Sequence, residues 1–396
     1  MMMAAALGVL VSCGSVKPGE EVVAASRNSK VVVAYVTSWS EVMPDPQYMT
    51  HINYAFGHVN ESFNGVKIDN EERLRQIVDL RKQKPELKVL LSIGGWGSGR
   101  FSEMAANDEY RRAFAADCAR VVKEFALDGI DIDWEYPTSS MANISSSPDD
   151  TENFTLLMQD IRAAIGNEKE LTLATVASAR YIDFKAILPS VDFVNIMAYD
   201  MASAPKHHSA LYPSGHSGDI TSDGAVTAHL KAGVPPSKLV MGMPFYGRGG
   251  DGYPSFQDYN KVGNTDTQYT EKWDEVAQVP YLADKNDTLV FGFENPRSLA
   301  IKCQYILDKD LLGGMYWDYS GDNEQGDLRR TVAENLLGKP HKAKVLVLTE
   351  RGGQHGGFTD AGLRWLAAEG AKGNFSITEI NNARNITEAY LSLIHI

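Results

Sequence analysis

The segment Asp128-Gly129-Ile130-Asp131-Ile132-Asp133-Trp134-Glu135-Tyr136 carries acidic side chains at alternate positions of an otherwise apolar run. On a β-strand successive side chains point to opposite faces, so Asp131, Asp133 and Glu135 share one face while Ile130, Ile132 and Trp134 share the other. Like charges crowded on one face oppose each other's ionisation, and apolar residues on the reverse face imply a strand covered on both sides. That pattern is poor for stability and well suited to proton transfer, with one carboxyl held protonated as a general acid beside an ionised neighbour. At ordinary residue usage D-G-x-D-x-D-x-E recurs by chance in about one of 10⁶ windows, so a merely hydrated acidic strand edge is the weaker reading. Two positions along a strand span about 6.6–6.8 Å, so Asp133 and Glu135 meet a bound molecule from the same side.

The elements needed to hold this strand are spread through the chain in a regular rhythm. Val31–Val36 and His51–Phe56 read as buried first and second strands, and Lys88–Trp96 as the third. The acidic segment is the fourth, followed by Leu171–Ser178, Phe193–Asp200, Lys238–Gly247 and Gly313–Tyr319. Helical patterns such as Asp108–Phe125 and Thr151–Ile165 lie between them, which is the alternation of a parallel α/β barrel. In such barrels sites form at the C-terminal ends of the strands, where Glu135 sits just before Tyr136-Pro137.

The acidic segment resembles the signature of glycoside hydrolase family 18, the chitinases and their relatives, whose final glutamate donates a proton. Ser92-Ile93-Gly94-Gly95 is similar to the family's S-x-G-G motif and Met197-Ala198-Tyr199-Asp200 to its M-x-Y-D motif, and the resemblance covers about residues 30 to 339. It implies a TIM (β/α)₈ barrel that hydrolyses β-1,4 bonds between N-acetylglucosamine units, in chitin or chitooligosaccharides, with Glu135 as acid. Ordinary glycosidases place a second carboxylate across the sugar ring from the acid, and Asp133 cannot reach there from the same strand. The substrate's own 2-acetamido carbonyl then supplies the nucleophile, and a retaining, substrate-assisted route follows. Asp133 is the expected stabiliser of the positive intermediate, and the charges of Asp131 and Asp133 are expected to raise the Glu135 pKa. By the resemblance Tyr199 hydrogen-bonds the acetamide oxygen, Asp200 holds the sugar and Met197 lines the pocket. Trp317 is the floor beneath the sugar, Tyr35, Phe56 and Trp96 are apolar walls, and Tyr246 and Arg248 contact the sugar from the seventh strand. Ser92 is expected to hydrogen-bond Asp131. Core packing accounts for Trp96 almost as well.

Only Gly249–Glu294 separates the seventh strand from the helix capped by Asn295-Pro296. That is too short for the extra α+β domain of many processive relatives, so a shallow, open groove and internal cleavage are expected. Two rival functions share the motif or the barrel. One is an endo-β-N-acetylglucosaminidase releasing N-glycans; the other is a non-catalytic chitin-binding lectin, which typically lacks the terminal glutamate.

The 396 residues exceed one barrel, and the net charge, 38 − 51 = −13, argues against nucleic acid and other polyanions while suiting a neutral glycan. Cys13, Cys118 and Cys303 are too few and too scattered for a disulfide framework or a zinc site, and no His/Asp cluster shows ligand spacing, so no metal and no cofactor are expected. A monomer is expected. The run Ala4–Val11 followed by Ser12-Cys13-Gly14 resembles a bacterial lipobox, making residues 1–29 a lipoprotein signal and tether, with export and a membrane anchor through a lipid on Cys13. The alternative is a plain secretory signal with Cys13 incidental. Against both, no Lys or Arg precedes Cys13, so the true start is expected upstream of Met1, or the run of methionines is a fragment edge.

Gly338-Lys339-Pro340 ends the last barrel helix, Asp327–Leu337. Residues 344–396 then open a second unit: Lys344–Thr349 as a strand, Phe358–Glu369 as a helix, Phe375–Ile380 as a strand. This resembles the start of the ThuA-like (trehalose utilisation) relatives of class I glutamine amidotransferases, with a flavodoxin-like α/β sheet. One βαβ unit cannot cover both faces of its sheet, so a truncated domain is expected.

Overall fold

Runs of Val, Ile and Leu with both faces apolar form parallel strands, because β-branched side chains fit a pleated surface buried on two sides. These strands are β1 (Val31–Thr37), β2 (His51–Val59), β4 (Lys88–Gly94), β5 (Gly129–Asp133), β6 (Glu170–Val176), β7 (Phe193–Met197) and β8 (Leu239–Pro244), while the short β3 (Val66–Ile68) pairs antiparallel with β2. A small sheet follows, made of β9 (Tyr246–Gly249), β10 (Gln257–Asp258), β11 (Thr270–Asp274), β12 (Val279–Ala283) and β13 (Leu289–Gly292), and then β14 (Gly313–Trp317). The structure, a computed structural model, describes residues 30–250, 253–262, 268–338, 343–348, 359–366 and 375–380.

Eight strands close into a barrel. Neighbours pair in the order β1-β14-β8-β7-β6-β5-β4-β2, all parallel, and β2 pairs back onto β1 with Tyr35 opposite Asn53. This is the (β/α)₈ architecture expected from the alternating pattern. The helices α1 (Glu71–Val78), α2 (Phe101–Ala106), α3 (Asp108–Glu124), α4 (Asp150–Ile165), α5 (Phe184–Ile187), α6 (Ser222–Lys231), α7 (Pro296–Asp308) and α8 (Asp327–Leu336) cover the outside.

The alternation within each strand separates two cores. Val32, Ala34, Ile130, Ile132 and Trp134 face outward into the layer shared with Phe114, Phe154 and Leu157 of the helices. Val33, Tyr35, Phe56, Phe193, Val240 and Met315 face the barrel interior. Asp131 and Asp133, 0% and 4% exposed, stand on that inner face.

The expected seventh strand divides: β8 ends at Pro244 and β9 turns away into an antiparallel sheet of order β10-β9-β13-β12-β11. A proline cannot donate a ladder hydrogen bond, which suits this break. The inserted sheet is tied to the barrel by Lys302 of α7, fully buried, which donates to Glu294 and to the Ser209 carbonyl. Asn295 caps α7 with a reciprocal pair of bonds to Ser298, and Pro296 occupies the first turn.

Ser29–Leu337 forms one unit by its contacts, and Gly338–Ile396 belongs to another. In the latter, β15 (Ala343–Leu348) and β16 (Phe375–Ile380) pair in parallel with Ala343 opposite Phe375, and residues 359–366 are helical. The expected lipobox and Cys13 lie outside the described residues. Among the described residues no helix is long and apolar enough to cross a membrane.

Candidate active site

At the C-terminal mouth of the barrel a cleft of about 630 Å³ opens, lined by Tyr35, Phe56, Trp96, Asp133, Glu135, Met197, Tyr199, Asp200, Tyr246, Arg248 and Trp317. Glu135 lies two residues beyond the end of β5 rather than within the strand. Its approach depends on the glycines that end β4. A β-carbon on Gly94 would come within 2.0 Å of the Asp133 carbonyl oxygen, which accepts the Gly95 amide at 2.8 Å. Gly95 has φ +93°, and a β-carbon there would strike the Phe56 ring.

The three acidic side chains occupy three different environments. Asp131 is wholly buried and accepts four hydrogen bonds, from Tyr35 (2.8 Å) and Ser92 (2.8 Å) to Oδ2, and from Thr172 (2.6 Å) and Asn195 (3.3 Å) to Oδ1. Burial raises its pKa and these donors oppose the rise. Ser92 donates to Asp131 as expected, and both lie beneath the cleft rather than on its lining.

Asp133 has an unpartnered buried oxygen, Oδ1, and burial raises its pKa well above the carboxylate range, with the charges of Glu135 and Asp131 adding to the rise. Glu135 is pushed up to about 7, chiefly by burial and further by the Asp200 charge, against a hydrogen bond from Tyr136. Burial thus comes first, ahead of the expected charge, and Asp133 and Glu135 act on one another, so the two carboxyls titrate as a pair.

Asp200 behaves in the opposite way. Arg248 grips it with Nε and a terminal nitrogen, both at 2.6 Å, and His208 Nδ1 lies 3.5 Å away. Burial alone would raise the Asp200 pKa, but Arg248 and His208 together pull it far below its ordinary value. Arg248, expected against the sugar, spends its fork on this carboxylate. Tyr199, one residue earlier, has its hydroxyl 3.9 Å from the Met315 sulfur, a weak acceptor, and so has donor capacity to spare.

Aromatic rings form the walls. Trp317 stacks on Phe56 at 5.5 Å and 21°, with Tyr35 at 5.7 Å tilted against it. Trp96 is 62% exposed, which removes the core alternative for it. Further lining residues come from loops: Trp39, Tyr136, Met141, Tyr181 and Phe256, with Tyr136 stacked on Tyr181 at 5.6 Å. Loop aromatics carry no periodicity; only the exposure of Trp39 (64%) and Met141 (69%) marks them, and that is a property of the fold.

Cys118 and Cys303 are free and buried, with thiol pKa values pushed up by burial, as inert core residues are. Among the described residues one group of side chains converges as metal ligands can, His207, His216 and Asp274, a grouping that spacing along the sequence does not show; none of the three lines the cleft.

The family model for glycosyl hydrolases family 18 matches residues 31–322. Chitotriosidase-1 of Mus musculus is 31% identical, over 74% of this chain and 74% of its own length. Chitinase A1 of Niallia circulans is 29% identical over 81% of this chain, which spans 60% of that enzyme. Among solved structures, a family 18 N-acetylglucosaminidase from Paenibacillus barengoltzii superposes with a TM-score of 0.72 at 32% identity, covering 78% of this chain and 100% of the other. Closed parallel barrel, acidic strand and matching relatives coincide over the same stretch of sequence, and the chain belongs to glycoside hydrolase family 18.

Proposed function

We propose that this protein hydrolyses β-1,4 bonds between N-acetylglucosamine units, in chitin or chitooligosaccharides, with retention of configuration and with the substrate's acetamide as nucleophile. One observation carries the reading: Glu135 faces the cleft with a pKa near 7, while among the described residues the other carboxyls on the cleft are Asp133, two residues before it, and Asp200, locked to Arg248. Neither is a free carboxylate standing across the ring from the acid.

The steps follow from these groups. Glu135 donates its proton to the glycosidic oxygen as the bond from C1 breaks, and the acetamide oxygen closes on C1 from the opposite face. Tyr199 donates a hydrogen bond to that oxygen and fixes its direction. Asp133 Oδ1 accepts the acetamide N–H, and an ionised Asp133 stabilises the positive charge that forms beside it. Water then attacks C1 as the C1–O bond to the acetamide breaks, Glu135 takes its proton, and a β-product forms. Trp317, Phe56 and Tyr35 hold the apolar faces of the sugars, and a cleft so lined grips a neutral polymer without charge.

The relatives support this substrate class, since those matched are described as chitinases or, for the Paenibacillus barengoltzii protein, an N-acetylglucosaminidase. The reading extends to the rest of the chain: residues 1–29 as export signal with a lipid on Cys13, residues 30–339 as a monomeric catalytic domain, and residues 344–396 as part of a ThuA-like domain. The deciding experiment compares chitooligosaccharides, cello-oligosaccharides and a high-mannose glycoprotein, with products resolved by mass and the fresh anomer by NMR. Cleavage of the first alone, with initial β-product, is expected. Cleavage of cello-oligosaccharides at a similar rate would remove the acetamide from the mechanism, and release of intact glycan without chitin cleavage would reassign the substrate.

A further inference from the structure

We propose that His207, His216 and Asp274 form a binding site for one Zn²⁺ ion, which ties the loop after β7 to the inserted sheet. One ligand atom from each of the three lies within 4.8 Å of the other two. His207 Nε2 stands 3.1 Å from Asp274 Oδ2, close to the about 3.3 Å that separates ligands around a tetrahedral ion with bonds of about 2.0–2.1 Å. Two imidazoles and a carboxylate are a donor set that Zn²⁺ accepts, with a fourth position left for water.

The surroundings hold this set in place. The His207 amide donates to the His216 carbonyl at 2.7 Å, which brings the two rings side by side, 6.1 Å apart and 28° from parallel. The edge of Tyr281, on β12, bears on both rings at 5.5 and 5.8 Å. Asp274 Oδ1 accepts the amides of Val276 and Ala277 at 2.9 Å, and Ser214 donates to Oδ2 at 2.8 Å, so the carboxylate is aimed before any ion arrives. Outer hydrogen bonds of this kind are what orient ligands at built metal sites.

A plain hydrogen bond between His207 and Asp274 explains two of the residues and leaves the rest. His207 is 2% exposed with Nε2 turned to Asp274, and Nδ1 of His216 is buried without a partner. Buried polar atoms are rarely left so, and an ion supplies the partner that the protein does not. The position also matters for the cleft: the next residue, His208, is fully buried with Nδ1 3.5 Å from Asp200 Oδ1. An ion at His207 would brace the loop that presents His208 to Asp200 without touching the reacting groups.

The test uses the full chain, stripped with EDTA and titrated with ZnCl₂ by calorimetry. One ion per chain at micromolar or tighter Kd is expected, with a rise in Tm on adding Zn²⁺. His216→Ala and Asp274→Asn should each weaken binding at least tenfold and abolish the Tm rise, while retaining hydrolysis of chitooligosaccharides. Both should keep the Tm of the wild type in EDTA; Asn preserves an oxygen for the two backbone amides. Should either variant misfold, Co²⁺ substitution of the wild type decides, through the visible absorption of a four- or five-coordinate ion. Absence of saturable one-to-one binding, binding only at millimolar Zn²⁺, binding untouched by both substitutions, or a six-coordinate Co²⁺ spectrum would each overturn the proposal.

Discussion

Replacing Glu135 by Gln should slow catalysis by orders of magnitude and, above neutral pH, make the protein more stable. The carboxyl is raised from an ordinary 4.5 to about 7, chiefly by burial. Sign follows from linkage: an acid with a raised folded-state pKa leaves folding unaffected below its unfolded value, then weakens it progressively as pH rises through 4.5 toward 7. That rise corresponds to at most about 3.4 kcal/mol, reduced by whatever water the cleft admits to a partly exposed side chain. Gln keeps the shape and stays neutral, so the variant escapes that loss at alkaline pH and gains nothing at pH 4. Urea denaturation of both proteins at pH 4, 6 and 8.5 measures the difference, which should grow from near zero to about 2–3 kcal/mol. Loss of general acid catalysis should lower kcat by about 10²–10⁴-fold. The wild-type rate should fall about tenfold for each pH unit above 7, following the protonated fraction of Glu135. A stability gain of equal size at pH 4 and 8.5, or none at either, would refute the assignment of a buried, proton-holding carboxyl.

Four further substitutions probe separate parts of the site. Tyr199→Phe removes the donor expected at the acetamide oxygen and should lower kcat about 10²-fold or more with little change in KM; a change confined to KM would make Tyr199 a binding residue only. Asp200→Asn deletes a charge that raises the Glu135 pKa and frees Arg248, so the alkaline limb of the rate profile should move to lower pH; movement upward would contradict the electrostatics described. Gly95→Ala forces a β-carbon against Phe56 at φ +93°, which should cost about 1–3 kcal/mol in thermal denaturation and raise KM through the displaced wall. Lys302→Met leaves Glu294 buried and unpaired and should cost about 3–5 kcal/mol, read as a lowered denaturation midpoint.

Features governed by local period were legible in the sequence, and features made by chain return were not. The two-residue alternation in β5 sets Asp131 and Asp133 on the inner face and Ile130 and Ile132 on the outer one, because a strand permits no other arrangement. Position along the strand also sets depth: Asp131 and Ser92 sit below the cleft, since successive inward residues of a tilted strand occupy successive layers of the barrel. Spacing put charge first among the forces on Glu135, because charge is visible in a sequence while burial, the largest cause of the rise at both Glu135 and Asp133, is a property of the closed barrel. The pair Asp200 and Arg248 stands 48 residues apart and meets only because β8 breaks at Pro244 and β9 turns back over the mouth. Asp274 reaches His207 across 67 residues by the same turn. The segment between Pro244 and Asn295 therefore does more than shorten one wall of the cleft. By folding a small sheet against the loop after β7, it fixes the partner of Asp200, and through Asp200 the proton affinity of the acid itself.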